Sequence, residues 1–384
     1  MKPMDPIPYG RQDISEEDID AVVSTLKADF LTQGPKVQEF EKAFAEYVGS
    51  KYAVAVSNAT AGLHLAVLSM GLKKGDRIIT TPITFAASAN CARYVGAEVW
   101  FADIDPETYL LSLDKTRKLL ESKPKGFFQG IIPVDFAGLP VDVEAFRELA
   151  DEFGLWIVED ACHAPGGYFI DSAGKEQMCG NSTYSDVCVF SFHPVKHIAC
   201  GEGGMVTTNN QEIYNKLSLL RTHGITKDRM EEDHGGWFYE MQQLGFNYRL
   251  TDIQSALGIT QLRKNPVGVK KRNEIARRYK EAFDGKIKYQ KVPQNRYNAH
   301  HLFVIEVENR KGLYDYLRQH NIFAQIHYIP VHKLPYYNRI GYSGADLSNA
   351  ETYYSRCISL PMYPTLNEEE QEFVIACIME FLNL

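Results

Sequence analysis

The stretch Val187-Cys-Val-Phe-Ser-Phe-His-Pro-Val-Lys-His-Ile-Ala-Cys-Gly-Glu-Gly-Gly-Met205 decides how the rest of the chain is interpreted. Its apolar run 187–192 predicts a buried strand that ends before Pro194, and a second apolar run begins at Met205. Lys196 lies between the two runs. A partly desolvated lysine loses its proton more easily than one in water and can attack a carbonyl carbon. For one isolated lysine, a plain loop position at a strand end is the better interpretation, so the remaining chain must decide.

Composition sets the class of protein. The chain has 384 residues, 45% of them apolar and 23% charged, which is typical of a soluble globular protein with a large domain and a lesser one. Lys plus Arg number 41 against 49 Asp plus Glu, so the net charge of −8 gives no basic footprint for nucleic acid or a membrane surface. The N-terminus shows no apolar signal region, and no apolar run reaches the length of a membrane span. We expect a cytoplasmic enzyme.

The cysteines are odd in number and scattered, and none forms a Cys-x-x-Cys pair. Several lie inside apolar runs. They therefore predict reduced core residues, with no disulfide framework and no metal site. The seven positions are 91, 162, 179, 188, 200, 357 and 377.

Short apolar runs alternate with amphipathic segments over the first two-thirds of the chain, as in stacked βαβ units around a buried parallel sheet. The predicted strands are 52–57, 77–82, 99–104, 129–134, 155–159, 187–192 and 205–208. The predicted helices among them are 60–70, 85–95, 114–121 and 143–153. Two further helices, one from Ser15 and one over 37–48, precede the first strand and follow an irregular arm at 7–12.

The character of the chain changes near Pro266. A strongly basic helix is predicted over 264–280, followed by strands at 301–307 and 324–328 and helices at 312–320 and 368–381. The sequence thus predicts an α/β fold with two domains. The N-terminal arm and a large domain with a mostly parallel sheet span 1–263, and a smaller α+β domain spans 264–384.

Ligands of open α/β sheets bind beyond the carboxyl ends of the strands, so the residues that follow each strand are the candidates for chemistry. After the first strand, the small-residue turn 57–62 opens a helix, where N–H groups and the Thr60 hydroxyl suit a phosphate. The alternative is an ordinary helix cap by Asn58 or Thr60. Phe85, after the second strand, suits stacking on a planar ligand, or is a core aromatic. Asp160 ends a buried strand and requires a cation such as a protonated ring nitrogen, or is a helix cap or salt-bridge partner.

Each of these signals is weak alone, but their order along one sheet is informative. A phosphate turn, an aromatic ring, a strand-end aspartate and a loop lysine are what pyridoxal phosphate requires from a protein. They would anchor its phosphate, stack on its ring, pair with its pyridinium nitrogen and form a Schiff base with its aldehyde. The joint pattern therefore predicts a site for this cofactor around Lys196.

These residues also resemble those of a known family. Ser57–Gly62, Glu159-Asp-Ala-Cys-His163, Ser191-Phe-His-Pro-Val-Lys196, Gly201-Glu-Gly-Gly204 and Gly245-Phe-Asn-Tyr-Arg-Leu-Thr-Asp252 are similar to motifs of the DegT/StrS family of sugar aminotransferases. The resemblance covers nearly the whole chain. It implies the fold-type I aspartate aminotransferase architecture, and pyridoxal 5'-phosphate as the cofactor of a transaminase.

The resemblance assigns a role to each matching position. Lys196 would be the catalytic residue and form the Schiff base, while Asp160 would pair with the pyridinium nitrogen. The other implied cofactor contacts are Thr60, the Ala61 N–H and Ser191 at the phosphate, Phe85 on the ring, and His163 on the phenolic side. Asn247 would reach in from a second subunit, which implies a homodimer with a shared active site.

Departures from the family pattern are mild. Ala59 stands where Gly is frequent, His163 where many members have Gln, and Ala199-Cys200 where Thr is common. None of these changes removes a chemical group that the reaction needs. Sugar dehydratases of the family have His at the position of Lys196, so the lysine favours transamination.

The sugar is suggested by three segments, 7–12, 29–34 and 327–332. Within the family they look most like enzymes of the pseudaminic acid pathway, which aminate carbon 4 of a UDP-linked 4-keto-6-deoxy-N-acetyl sugar. Glutamate is the amino donor that the family implies. The nucleotide-sugar contacts implied in this way are Tyr9, Phe30, Leu31, Thr32, His327 and Tyr328, with Arg249 and Lys333 placed to offset the diphosphate charge. For each of the first six, simple packing of the N-terminal arm is an equal alternative, and for Lys333 a surface ion pair is. A 4-aminotransferase of the bacillosamine or 4-amino-arabinose type and a non-catalytic regulatory member are the rival functions.

Overall fold

The structure is a computed structural model and describes residues 5–227, 234–341, 343–344 and 346–384. Its helices are α1 Glu16–Leu26, α2 Pro35–Val48, α3 Ala59–Ser69, α4 Ala87–Tyr94, α5 Leu113–Glu121, α6 Val143–Phe153, α7 Gln211–Arg221, α8 Asp252–Phe283, α9 Arg310–Gln319, α10 Pro335–Ile340, α11 Ser348–Arg356 and α12 Glu368–Leu382. Its strands are β1 Ile7–Pro8, β2 Tyr52–Val56, β3 Arg77–Thr80, β4 Glu98–Phe101, β5 Gly130–Ile132, β6 Trp156–Asp160, β7 Tyr168–Ile170, β8 Glu176–Met178, β9 Val187–Ser191, β10 Gly204–Thr208, β11 Ile225–Thr226, β12 Glu240–Met241, β13 Lys288–Tyr289, β14 Arg296–Tyr297, β15 Phe303–Glu306, β16 Ile322–Phe323, β17 Ser343–Gly344 and β18 Cys357–Leu360.

An eight-stranded sheet forms the centre of the large domain, in the order β17-β4-β3-β5-β6-β9-β10-β2. All neighbours run parallel except β10, which is antiparallel to both β9 and β2. Every residue of β9 and β10 is buried, as expected for a sheet covered by helices on both faces. The predicted α/β class with a mostly parallel sheet is confirmed.

Two predictions on local structure were wrong. The arm at 7–12 is not wholly irregular, because β1 pairs in parallel with β16, and the Tyr9 carbonyl accepts a bond from the Met362 N–H at 2.9 Å. The strand predicted over 324–328 is absent from the described chain: β16 ends at Phe323, and only Gln325 forms an isolated bridge, with Ser359. Backbone pairing across distant segments decides both cases, and local apolar patterns do not record it.

The long helix α8 connects the two parts of the chain. Thr251 caps its start by accepting from the Gln254 N–H, and the Gln254 side chain reaches back to form a capping box. Its N-terminal half packs on α1 and α2, while Ile275 and Tyr279 enter the core of the C-terminal part. The domain boundary predicted between 263 and 264 falls inside this continuous helix and stays a prediction.

Two further features agree with the composition. All seven cysteines are free, and six of them are buried. Among the helices of the described residues, none has both the length and the apolar character needed to cross a membrane.

Candidate active site

A cavity of about 620 Å³ opens at the carboxyl ends of β6 and β9. Nine of the site residues predicted from the sequence line it. The cavity is lined by Tyr9, Asn58, Ala59, Thr60, Leu63, Thr84, Phe85, Ala87, Ser88, Val134, Asp160, Cys162, His163, Ser191, His193, Val195, Lys196, Glu202, His301, His327 and Tyr328. The position at the strand ends is where ligands of open α/β sheets bind.

Lys196 lies in the turn between the antiparallel strands β9 and β10, as the sequence predicts. Its main-chain N–H donates to the His193 carbonyl at 2.8 Å, which closes the turn. The pKa of the Lys196 amine is lowered to about 8, mainly by burial; Cys162 and Asp160 act in the opposite direction, and the positive charge of Arg272 adds to the lowering. The unprotonated amine, which is the nucleophile, is therefore much more populated near neutral pH than for a lysine in water.

Asp160 ends β6 and is only 4% exposed. Its Oδ1 accepts the Cys162 N–H at 3.2 Å, and its Oδ2 accepts the Ser88 hydroxyl at 2.6 Å. Within the described chain no Lys, Arg or His forms an ion pair with Asp160. A buried carboxylate without a cation is costly, and Asp160 faces the cavity, so a cationic group of a ligand is the partner that it lacks.

Ser88 and Thr84 are site residues that the sequence did not reveal. The Ser88 hydroxyl, which donates to Asp160, lies 2.8 Å from the Thr84 hydroxyl, so Thr84 donates to Ser88 in turn. This chain of hydroxyls fixes the carboxylate from the side of α4. Ser88 stands one helical turn after Phe85, and that spacing is the signal that would have identified it.

Phe85 is 62% exposed and lines the cavity, so it is not a core aromatic. An exposed ring of this size at a cavity wall suits stacking on a planar ligand. The ring centroid lies 6.3 Å from that of Tyr328.

The small-residue turn before α3 behaves as a helix cap. The Asn58 side chain accepts the Ala61 N–H at 2.8 Å, which is the alternative that the sequence left open. Thr60 lines the cavity, as does Ser191 at the end of β9. A phosphate contact of the Ala61 N–H stays a prediction.

His163 is held in one tautomer. Its Nδ1 accepts the Ala137 N–H at 3.2 Å, so the proton of the neutral ring is on Nε2, which lies 3.1 Å from the Tyr328 hydroxyl oxygen. Burial keeps the pKa of His163 well below its usual range, and the charge of Lys196 adds to this effect. His163 thus donates to Tyr328 and leaves the Tyr328 proton available to a ligand.

The residues predicted to contact the sugar fall into two groups. Tyr9, His327 and Tyr328 line the cavity beside Lys196. The Tyr9 and His327 rings lie 5.1 Å apart, and His327 Nδ1 is 2.9 Å from the Ser359 hydroxyl. Burial lowers the pKa of His327 to about 3, so its ring is neutral at physiological pH.

The second group lies outside this cavity, on one surface that we call the 30–32/247–251 surface. Thr32 forms a bridge with Thr251, and the Leu31 carbonyl accepts the Asp252 N–H at 3.0 Å, so the two segments are neighbours. Phe30 and Leu31 are 55% and 46% exposed. The predicted site residues on this surface are Phe30, Leu31, Thr32, Asn247 and Arg249. In the single chain, none of them lines the cavity around Lys196.

Lys333 also behaves differently from the cavity residues. Its amine lies 3.2 Å from Glu351 Oε1, and both side chains are well exposed. The surface ion pair that the sequence left open is therefore present.

The donor set fits pyridoxal phosphate. A half-buried amine, an unpaired buried carboxylate and an exposed aromatic ring at one cavity match its aldehyde, its ring nitrogen and its planar ring, respectively. Two hydroxyl groups, those of Thr60 and Ser191, are at hand for a phosphate.

Comparison with known proteins agrees with this geometry. The model of the DegT/DnrJ/EryC1/StrS aminotransferase family matches residues 12–379. The chain belongs to this family. It is a pyridoxal phosphate-dependent sugar aminotransferase, and the recognised fold-type I architecture is confirmed.

Two relatives are similar in sequence to this aminotransferase over nearly its whole length. It is 37% identical over 394 residues to the spore coat polysaccharide biosynthesis protein SpsC of Bacillus subtilis, covering 98% of this chain and 97% of the relative. It is 36% identical over 374 residues to the UDP-4-amino-4,6-dideoxy-N-acetyl-beta-L-altrosamine transaminase of Campylobacter jejuni, covering 95% of each.

Solved structures give the same result. The Helicobacter pylori aminotransferase PseC, involved in the biosynthesis of pseudaminic acid, superposes with a TM-score of 0.88 at 30% identity, over 98% of this chain and 99% of that one. The PLP form of a sugar aminotransferase from Streptococcus pneumoniae, Spr1654, superposes with a TM-score of 0.86 at 28% identity over 97% of each chain.

Proposed function

We propose that this aminotransferase moves the amino group of glutamate to carbon 4 of a UDP-linked 4-keto-6-deoxy-N-acetyl sugar, in the biosynthesis of pseudaminic acid. The observation that carries the proposal is that Tyr9, His327 and Tyr328 lie in one cavity with Lys196 and Asp160. Their sequence segments are those that resemble pseudaminic acid enzymes. The similarity to the Campylobacter transaminase and to PseC supports the same substrate class.

The residues divide the work of the reaction. Pyridoxal phosphate, when bound, supplies an aldehyde carbon and an electron-withdrawing ring. Asp160, held by the Ser88 hydroxyl, would keep a proton on the ring nitrogen. Phe85 would stack on the ring, and Thr60 with Ser191 would bind the phosphate.

Lys196 has two tasks, both of which depend on its lowered pKa. Its amine would hold the cofactor through the aldehyde carbon. When free of that bond, the same Nζ would be placed to take a proton as general base and to return one as general acid. His163 holds the Tyr328 hydroxyl, which would leave the Tyr328 proton free to contact a ligand in the cavity.

The active unit in this proposal is a cytoplasmic homodimer. The predicted site residues on the 30–32/247–251 surface do not line the cavity of their own chain. One chain alone therefore does not bring them to the site around Lys196. A second subunit would bring Asn247 and Arg249 to the phosphate groups and Phe30 to the sugar nucleotide. Arg249 would then offset part of the diphosphate charge, whereas Lys333 is already paired with Glu351.

The rival function is amination of another nucleotide sugar of the family. The observation that favours this alternative is the 37% identity to SpsC, which is named for spore coat polysaccharide biosynthesis. A non-catalytic regulatory role is disfavoured, because Lys196, Asp160 and Ser191 lie together at one cavity.

The test is turnover of purified protein with glutamate against a panel of UDP-linked 4-keto sugars, with product identification by NMR. The panel includes the pseudaminic acid precursor and the bacillosamine and 4-amino-arabinose precursors, and Lys196→Ala serves as the control for non-enzymatic amination. The proposal predicts that the pseudaminic acid precursor is the one sugar that yields a 4-amino product, or that it does so with the highest kcat/KM of the panel. A preference for another sugar of the panel would reject the substrate but retain the reaction.

A further inference from the structure

We propose that His301 is a positioning residue for Lys196. Its Nε2 accepts a hydrogen bond from the lysine amine and so directs the lone pair of the amine nitrogen into the cavity. The proposal rests on the role of Lys196 given above. His301 comes from the C-terminal part of the chain, 105 residues after the lysine, and its ring meets the amine across the cavity wall.

The contact is direct. Lys196 Nζ and His301 Nε2 are 3.3 Å apart, and His301 is 3% exposed. Within the described chain, the other ring nitrogen of His301, Nδ1, is buried and has no hydrogen-bond partner. The amine is thus the polar group that the imidazole meets.

The chain holds both partners in register. His197, next to the lysine, has its Nε2 2.9 Å from the Ala299 carbonyl oxygen, two residues before His301. The Ala299 N–H donates to the Gly138 carbonyl at 2.9 Å. On its other side, the His301 ring packs on His163 with the ring centroids 4.4 Å apart. These contacts hold Lys196 and His301 in place on either side of the 3.3 Å contact.

The type of acceptor matters. An amine that donates from one side presents its lone pair on the other, and here the other side is the cavity. A carboxylate in this place would stabilise the ammonium form and make the amine a poorer nucleophile. Burial keeps the pKa of His301 well below its usual range, and the charge of Lys196 adds to this effect, so the ring is neutral and accepts at Nε2 in the tautomer whose proton is on Nδ1.

The titratable groups that act on the Lys196 amine come from several elements. Asp160 and Cys162 belong to β6 and the loop that follows it, and Arg272 belongs to α8. His163, His197 and His327 add no charge, because burial lowers the pKa of each below its usual range. Among these neighbours, His301 is the one for which a hydrogen bond to the Lys196 amine is found.

The experiment compares His301→Gln with His301→Asn in the full-length protein. The Gln side chain places its terminal group where Nε2 stands, whereas Asn has the same amide one methylene shorter and does not reach the amine. His301→Leu adds a variant of similar volume without a polar group. Thermal unfolding of all three shows whether the fold is kept.

Two measurements follow. In protein freed of cofactor, acetylation of Lys196 is followed by peptide mass spectrometry as a function of pH, which requires no turnover. In the same variants, pyridoxal phosphate is added back and the rate at which its covalent link to Lys196 forms is read from the visible absorption band. Borohydride reduction and peptide mapping locate the attachment.

We expect His301→Gln to keep the wild-type rate of covalent linkage within about threefold, and His301→Asn and His301→Leu to slow it by roughly tenfold, which is the effect of one lost hydrogen bond. The pH midpoint of Lys196 acetylation should fall in the Asn and Leu variants, since the ammonium form loses an acceptor, and return in Gln. Equal rates and midpoints for Gln and Asn would reject the proposal and leave His301 a packing residue. Attachment of the cofactor to another lysine would instead reject the role of Lys196 itself.

Discussion

The cavity around Lys196 and the 30–32/247–251 surface both carry residues of the same sequence motifs, but they are built differently. In the cavity, two central polar groups have a partner from a distant part of the chain, namely Ser88 for Asp160 and His301 for Lys196. On the surface, the main chain is tightly paired, as between Thr32 and Thr251, but the Phe30 and Leu31 side chains are exposed.

The difference indicates what each region lacks. The cavity is a preorganised set of donors and acceptors that needs a cofactor to complete it. The surface has a paired main chain and exposed apolar side chains, as is typical of a region that another chain covers. Substitutions in each region, and mixtures of the variant proteins, can test these two interpretations.

The largest effect is expected inside the cavity. Lys196→Ala removes the amine that binds the cofactor covalently and moves the proton, so kcat should fall by about 10³-fold or more. The measurement is turnover with glutamate and the preferred keto sugar, together with loss of the visible band. Activity within about tenfold of the wild type would show that the cavity is not the catalytic centre.

A complementation test addresses the surface. Asn247→Ala should lower kcat/KM by about 10²-fold if the side chain reaches the partner's phosphate site. Mixed and re-equilibrated with Lys196→Ala protein, it should regain about one quarter of the wild-type activity, because half of the dimers then hold one site with both residues intact.

The matched control for that test is a mixture of Lys196→Ala with Asp160→Asn. Both residues line the same cavity of one chain, and in a heterodimer each site still carries one defect. No recovery is expected. No recovery in the Asn247 mixture would place the 30–32/247–251 surface outside the shared site. Recovery in the control would instead show that Lys196 and Asp160 serve one site from different subunits.

A smaller effect tests the support of the cavity. Ser88→Ala removes the hydroxyl that donates to Asp160 Oδ2 and should lower kcat by roughly tenfold, the cost of one hydrogen bond to a charged group. Ser69→Ala is the control, because Ser69 is also buried and its hydroxyl donates to the Ala66 carbonyl at 2.7 Å, away from the cavity. Steady-state kinetics and thermal unfolding of both variants distinguish a loss of function from a loss of stability.

The smallest effect is expected at Lys333. Its exposed ion pair with Glu351 contributes about 0–1 kcal/mol to stability, so Lys333→Ala should change KM for the nucleotide sugar less than about twofold. Arg249→Ala, on the 30–32/247–251 surface, should raise the same KM by about tenfold. A larger rise for Lys333→Ala than for Arg249→Ala would reverse the assignment of the diphosphate contact.

Local pattern was sufficient for much of the fold. The predicted helix 143–153 matches α6, Val143–Phe153, because its apolar spacing and the Asp142 cap are encoded within a dozen residues. The central strands agree within a few residues for the same reason. The pairings of β1 with β16 and of β7 with β14 were missed, since each joins strands far apart in sequence.

The site shows the same division. The sequence by itself determined the family, the cofactor and the order of Thr60, Phe85, Asp160 and Lys196 along one sheet, because each residue follows a strand whose pattern is local. Only the tertiary structure decided that Ser88 supports Asp160 and that His301 meets Lys196, and that the residues of the 30–32/247–251 surface lie apart from them. Those contacts join segments up to 105 residues apart, and their distances depend on how the elements pack, which no local spacing records.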